Sequence, residues 1–334
     1  MIEIYLNGID TKFRSSKGDV LLNQRYTNKP FSSFGILEKM GYKLSRIIGI
    51  NQEKLNKSVV IFAADHGISE MHLSVFEKSH TQNVVNLLLQ DKTPLSKILN
   101  KDVPIQCIDI GMASDMEDSY GVINKKVNYS TKNMLYEYAM TMHETQNAIE
   151  VGIELAKQCS EKNINIVALG EVGICNTISA SVLTAILLDL PSDKVTGRGT
   201  GISKEKWKKK NQVVADIIAQ YGNLKDNTLE LLSAVGGYDI CGDIGFLIGC
   251  AYYKIPVIID GFITGAAALV ACKLNPLIKE YMFASHLSSE PGHEYIMHEL
   301  ELEPLLYLNM RFGLATGASI ALSLYETAYL LTNK

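Results

Sequence analysis

The stretch Ile164-Asn165-Ile166-Val167-Ala168-Leu169-Gly170-Glu171-Val172-Gly173-Ile174-Cys175-Asn176-Thr177 decides the fold. Its first six residues are mostly aliphatic and read as a buried strand. Gly170–Thr177 is a glycine-rich turn, and Thr177–Leu188 has a helical period. Strand, glycine turn and helix in that order form the repeating unit of a parallel α/β sheet. Glycine lets backbone N–H groups turn inward, and a helix N-terminus adds partial positive charge, so the turn is a candidate phosphate site. Asn176 or Thr177 equally suits an ordinary N-cap. The Gly-Lys-Ser/Thr ending of a P-loop is missing.

The same pattern recurs on both sides. Val59–Ala63, Ile105–Ile110 and Val257–Ile259 read as short strands bounded by Pro, Asn or Lys before and Gly or Asp after. Helix-period stretches cover Thr81–Leu89, Glu144–Cys159 and Gly261–Lys273. The expected architecture is α/β, a mostly parallel sheet flanked by helices, with ligands beyond the carboxyl ends of the strands. Residues 29–50 and 296–334 read as helices without intervening strands. Chain ends often lie close together, so 1–50 plus 296–334 are expected to form a small helical domain beside a large α/β domain spanning 51–295. Asp193–Gly222 is the most polar region, and its lysine run, Lys204 to Lys210, reads as a solvated helix face.

Composition narrows the function classes. The 334 residues are 47% hydrophobic and 20% charged, with 25 Gly and a formal net charge of −4. That excludes a disordered or coiled-coil chain and gives no global attraction to nucleic acid. A mean hydropathy of +0.07 raises the question of membrane spans. The longest apolar runs, Ile244–Ala251 and Gly265–Cys272, fall well short of the ~20 residues a span needs. Met1–Asp10 has no signal-peptide pattern. Six scattered Cys show no CxxC pair and seven His no HExxH, so neither a disulfide framework nor a metal site is indicated. A soluble cytoplasmic globule is expected, with part of its apolar surface buried against another subunit.

Further stretches can carry chemistry. Gly197-Arg198-Gly199-Thr200-Gly201 with Lys210 nine residues on is a second plausible anion site, or a flexible loop beside a basic helix. Asp65-His66-Gly67, Asp109-Ile110-Gly111, Asp260-Gly261 and Val235-Gly236-Gly237-Tyr238-Asp239 place acid and glycine at strand ends. Together they point to one wide polar mouth, although any one of them suits a turn. Ser289-Glu290-Pro291-Gly292-His293 and Arg311-Phe312-Gly313-Leu314-Ala315-Thr316-Gly317-Ala318 lie towards the C-terminus.

In this order the stretches resemble the nicotinate-nucleotide:dimethylbenzimidazole phosphoribosyltransferase family over nearly the whole chain. The match begins at Lys29-Pro30-Phe31-Ser32-Ser33-Phe34-Gly35-Ile36-Leu37-Glu38, similar to K-P-x-G-S-L-G-x-L-E. It includes Asn133 to Thr141 and all the motifs above. The resemblance implies a Rossmann-like parallel sheet, a helical domain from both chain ends, and a dimer whose neighbour borders each active site. It implies transfer of phosphoribose from nicotinate mononucleotide to an aromatic base, in cobamide biosynthesis, with no metal or cofactor. By motif position, Gly170, Gly173, Asn176 and Thr177 with Gly199, Thr200, Gly201 and Lys210 would hold phosphate and ribose. Phe76, Val84 and Leu314 would line the acceptor pocket.

The chemistry fits these types. The leaving nicotinate is already a cationic pyridinium and needs no general acid, whereas the incoming azole or phenol must lose a proton. The family's last motif reads R-L-G-E-G-[ST]-G-A, and its Glu is the proposed base. Here Leu314 stands at that position and Ala315 replaces the following Gly. Ile178 replaces a second Thr, and Glu77 and His80 stand where Pro and Val are usual. Glu171 becomes the candidate proton acceptor, with His80 a further helper. The departures leave room for a supporting subunit of a heterodimer with an intact sister chain, or a nucleotide- or base-binding module.

Overall fold

The computed structural model describes residues 1–20, 33–50, 52–99, 102–116 and 121–333. Lys29, Pro30, Phe31 and Ser32 of the first motif lie outside them. Six strands form one sheet: β1 (Lys57–Ala64), β2 (Ile105–Gly111), β3 (Ile123–Asn124), β4 (Ile166–Val172), β5 (Val257–Ile259) and β6 (Met282–Ala284). Their order is β3-β2-β1-β4-β5-β6 and every pairing is parallel. The order reverses between β1 and β4, which is the Rossmann-type switch point where such sheets bind ligands.

The central strands are buried along almost their whole length. This is why they read as continuous apolar runs rather than alternating ones. The two short strands β3 and β6 carry too little pattern to stand out in the sequence. β4 also starts later and runs further than its apolar run suggests. Gly170, Glu171 and Val172 pair with Ile61, Phe62 and Ala63 of β1, so ladder hydrogen bonds override the turn-like composition of those residues.

Long helices cover the sheet. Met142–Glu161 starts with a capping box, Thr141 and Glu144 bonding each other's backbone N–H. It packs against Tyr238–Tyr253, whose residues are buried from Tyr238 through Ala251. Phe262–Leu274 is almost as deeply buried. The apolar excess of the composition resides in these two helices, not in a span, since no described helix is long and apolar enough to cross a membrane.

At the chain ends, Ile36–Ile48 packs on Thr316–Thr332. A Cβ on Gly41 would stand 2.0 Å from the Ala328 carbonyl oxygen, so only glycine permits this approach. Thr316–Thr332 also lies on β4 and β5, and the Tyr325 hydroxyl donates to the Ala284 carbonyl at 2.7 Å. The expectation of continuous helix over 296–334 is corrected: Gly292–Glu299 is helical, but Glu301–Ala315 is not. Pro304 disfavours helix at the residue before it. Leu306 instead bridges His286 in parallel fashion, so this segment extends past the end of β6.

Candidate active site

The carboxyl ends of β4, β5 and β6, with the segment from Leu73 to Val84 that follows β1, surround one cavity of about 210 Å³. Gly170 lies in β4 rather than in the turn. A Cβ there would meet Ala315 N at 2.2 Å, and Gly170 does not line the cavity. The turn proper is Gly173 to Cys175. A Cβ on Gly173 would meet the Ala64 carbonyl oxygen at 2.3 Å, so glycine here lets the ends of β1 and β4 close up. Cys175 takes the N-cap position with φ 73 and no capping side chain. Neither Asn176 nor Thr177 is the cap, because their side chains are engaged elsewhere.

Asn176 turns into a buried polar network. Its Nδ2 donates to Glu171 Oε2 and, at 3.1 Å, to Asp239 Oδ2. Asp239 Oδ1 meets His66 Nε2 at 2.9 Å, and His66 Nδ1 lies 3.1 Å from Ser179 Oγ. Burial holds the Glu171 carboxyl well above the usual range, and the Asp239 and Asp260 charges push it further; the Asn176 bond opposes them. Asp260 is raised to about 7 by burial, against backbone N–H bonds from Ala318, Gly317 and Thr316. Asp243, with Glu171, Asp239 and Asp260 nearby, is also held well above the usual range, first by burial.

The expectation of one mouth lined by four strand-end acids is corrected. Asp65 accepts from Thr81 Oγ1 (2.6 Å) and Ala113 N (2.9 Å), and braces the wall. Asp109 pairs with Lys126 Nζ at 2.9 Å. Asp239 belongs to the first turn of a helix, not to a strand end. Of the four, only Asp260 opens into the cavity, where Glu171 joins it. Parallel strand ends crowd their polar groups, and most of that polarity goes to satisfying buried partners.

One corner of the cavity suits an anion. Gly199, Thr200 and Lys210 line it beside Gly173, Asn176 and Thr177. Lys210 is buried, and its Nζ donates to Thr177 Oγ1 at 3.0 Å and to the Gly197 carbonyl at 3.1 Å. Burial lowers its proton affinity, while the Glu290 charge opposes the shift. The solvated-face reading of the lysine run thus holds for Lys208 and Lys209 but fails at Lys210. Gly199 N donates to Glu290 Oε1 at 2.9 Å. Gly201 has φ 103 and lies against Arg311, outside the lining.

Much of the remaining lining is apolar. Phe76 and His80 stack face to face, centroids 3.9 Å apart and planes at 3°. Val84, Ile174, Ile178, Ile263, Phe312 and Leu314 join them on the cavity wall. Leu314 N donates to the Glu171 carbonyl at 3.1 Å, which fixes the turn against β4. Leu314 (φ 61) and Ala315 (φ 53) are both left-handed, a conformation costing ~1–2 kcal/mol per non-glycine residue. The cavity lining therefore combines a buried cation and hydroxyls with flat apolar side chains, and includes Glu171 and Asp260.

Sequence reading assigned no catalytic or binding role to Asp260, His286, Glu290, Arg311 or Phe312, all of which line the cavity. Four of these stood within motifs, so the signal was present but the direction of the side chains was not. His286 follows β6, which is too short to announce itself. Its ring, 2.9 Å from Ser285 Oγ, is lowered to about 4 by burial.

A family model described as phosphoribosyltransferase matches residues 14–334. A nicotinate-nucleotide–dimethylbenzimidazole phosphoribosyltransferase of Clostridium acetobutylicum is 39% identical over 327 residues, which is 97% of this chain and 91% of its own. The protein of the same name from Chloroflexus aurantiacus is 37% identical over 308 residues, 91% of this chain and 88% of its own. The crystal structure of CobT from Thermus thermophilus superposes with a TM-score of 0.87 at 32% identity, covering 94% of this chain and 96% of that one.

Proposed function

Because this chain belongs to the nicotinate-nucleotide–dimethylbenzimidazole phosphoribosyltransferase family, we propose that it transfers phosphoribose from nicotinate mononucleotide to an aromatic base. The products are an α-ribosyl-base phosphate and nicotinate, and the role is in cobamide biosynthesis. The observation that carries this reading is one cavity whose lining brings together a buried cation and hydroxyls with flat apolar side chains, the groups that the two parts of the reaction need. Relatives carrying the enzyme's name match over most of their length, which favours a transferase over a supporting subunit or a binding module.

In this reading Lys210, Thr177, Thr200 and the Gly199 loop grip the 5′-phosphate, as a buried cation and hydroxyls suit. Gly173 and Asn176 border the ribose. The accepting ring lies against Phe76, Val84 and Leu314, where flat apolar walls favour an aromatic plane. A ring nitrogen or phenolate oxygen of the base attacks C1′ as the bond to the pyridinium nitrogen breaks. The bonding pair leaves with nicotinate, which is neutralised at its ring nitrogen. The base's proton passes to Glu171. Leucine has no atom to take it, and the raised proton affinity of Glu171 makes its ionised form a stronger acceptor than an exposed carboxylate.

Several apolar side chains at or near the cavity mouth, Val75, Phe76 and Phe312, are exposed, which supports a second subunit bordering the site. This reading keeps 1–50 plus 296–334 as a small helical domain beside the large α/β domain. The six cysteines are separate thiols, five of them buried, as suits the cytoplasm. The test is release of nicotinate from nicotinate mononucleotide by the purified chain, with benzimidazoles and phenols as acceptors. Release that depends on both substrates supports the reading. A silent chain that becomes active only on adding a sister subunit would assign it the supporting role instead.

A further inference from the structure

A second cavity, of about 660 Å³, shares a wall with the first. Arg198, Glu290 and Arg311 line both. On its own side stand Lys204, which opens the helix Lys204–Tyr221, and Trp207 three residues on, on the same helix face. The Trp207 Nε1 donates to the Thr196 carbonyl at 2.8 Å, which fixes the indole. Thr196 itself is 1% exposed and lines the cavity, and its Oγ1 has no hydrogen-bond partner among the described residues. A buried hydroxyl left unpaired costs ~1–3 kcal/mol, so an acceptor seated in this cavity removes that penalty.

Charge favours an anionic acceptor. Three cations, Arg198, Lys204 and Arg311, face two carboxylates, Asp193 and Glu290. Glu290 Oε1 accepts from Gly199 N, and its Oε2 is buried with no hydrogen-bond partner among the described residues. Trp207 and Pro291 give an apolar surface beside the cations. We propose that this second cavity is a separate binding site for a small phosphate ester, held by Arg198, Lys204, Arg311 and the Thr196 hydroxyl, with its organic part against Trp207. It is distinct from the corner built on Lys210 and Thr177, which lie in the first cavity only.

The test is calorimetric titration of the full chain with ribose 5-phosphate. Lys204→Glu and Thr196→Val alter the second cavity alone, and Lys210→Met alters the first alone. The expected result is two equivalents bound by the wild type and one by Lys204→Glu. Thr196→Val should weaken the second equivalent about tenfold, the equivalent of 1.4 kcal/mol. Nicotinate release should be unchanged in Lys204→Glu. A wild type binding one equivalent that is lost in Lys210→Met, or unchanged binding in both Lys204→Glu and Thr196→Val, would overturn the proposal. Should Lys210→Met keep both equivalents while Lys204→Glu loses one, the phosphate assignment in the first cavity fails and the second site stands.

Discussion

Replacing Asp260 by Asn should change how stability depends on pH. The Asp260 carboxyl is 2% exposed, and its Oδ1 accepts the Ala318 N–H at 2.9 Å. Asn keeps an oxygen for that bond and removes the ionisable group. Burial raises the folded-state value to about 7, against 3.8 for the free group. A raised acid contributes stability that is fully present below the lower value and is lost as pH rises through the upper one. Linkage between these two values gives a loss of roughly 2–3 kcal/mol between pH 5 and pH 8. Urea unfolding of wild type and Asp260→Asn at several pH values, followed by the single tryptophan, Trp207, and by circular dichroism, measures it. The stability difference, wild type minus variant, should fall by about that amount across the interval. A difference that stays flat from pH 5 to pH 8 would show that Asp260 is not held protonated by its site.

Other outcomes follow from the same geometry. Glu171→Gln keeps the shape and the Asn176 contact but removes the proton acceptor, so nicotinate release should fall by ~10²–10⁴; a rate within threefold of wild type would dismiss Glu171 as the base. Wild-type turnover should rise with pH as the raised Glu171 carboxyl ionises, and a profile flat from pH 5 to 9 contradicts that. Leu314→Glu should raise turnover with dimethylbenzimidazole, since the side chain starts from a turn already fixed against β4; steady-state kinetics showing no gain would mean that the other departures matter more or that no base is needed there. Gly170→Ala should destabilise by ~1–3 kcal/mol through overpacking against the Ala315 backbone, and an unchanged urea midpoint would refute the close contact.

The parallel sheet was legible because β1 and β4 are buried on both faces and leave long aliphatic runs. Val257–Ile259 was legible to the residue. β6 was not, because Met282-Phe283-Ala284 lacks β-branched residues and rests on β5 alone. The cavity residues at Lys210, Thr177, Gly199, Phe76 and Leu314 were placed by motif order. What motif order does not carry is direction. Gly170 and Gly173 look alike in sequence, yet one packs on Ala315 and the other on Ala64. Asp65 and Asp260 both follow strands, yet only the second opens into the cavity. Those differences arise from long-range packing, which local composition does not encode.

The contact between Ile36–Ile48 and Thr316–Thr332 has a consequence for the order of events during synthesis. β1 and β4 emerge from the ribosome well before the helix that covers β4 and β5, and Gly41 waits for Ala328 across most of the chain. Pairings this distant in sequence close slowly. Until residue 332 is free, one face of the sheet and the apolar stripe of Ile36–Ile48 stay open to other chains. The nascent protein, not the finished one, is the form expected to aggregate, and chains stalled before residue 316 should be the most demanding clients of the cell's chaperones.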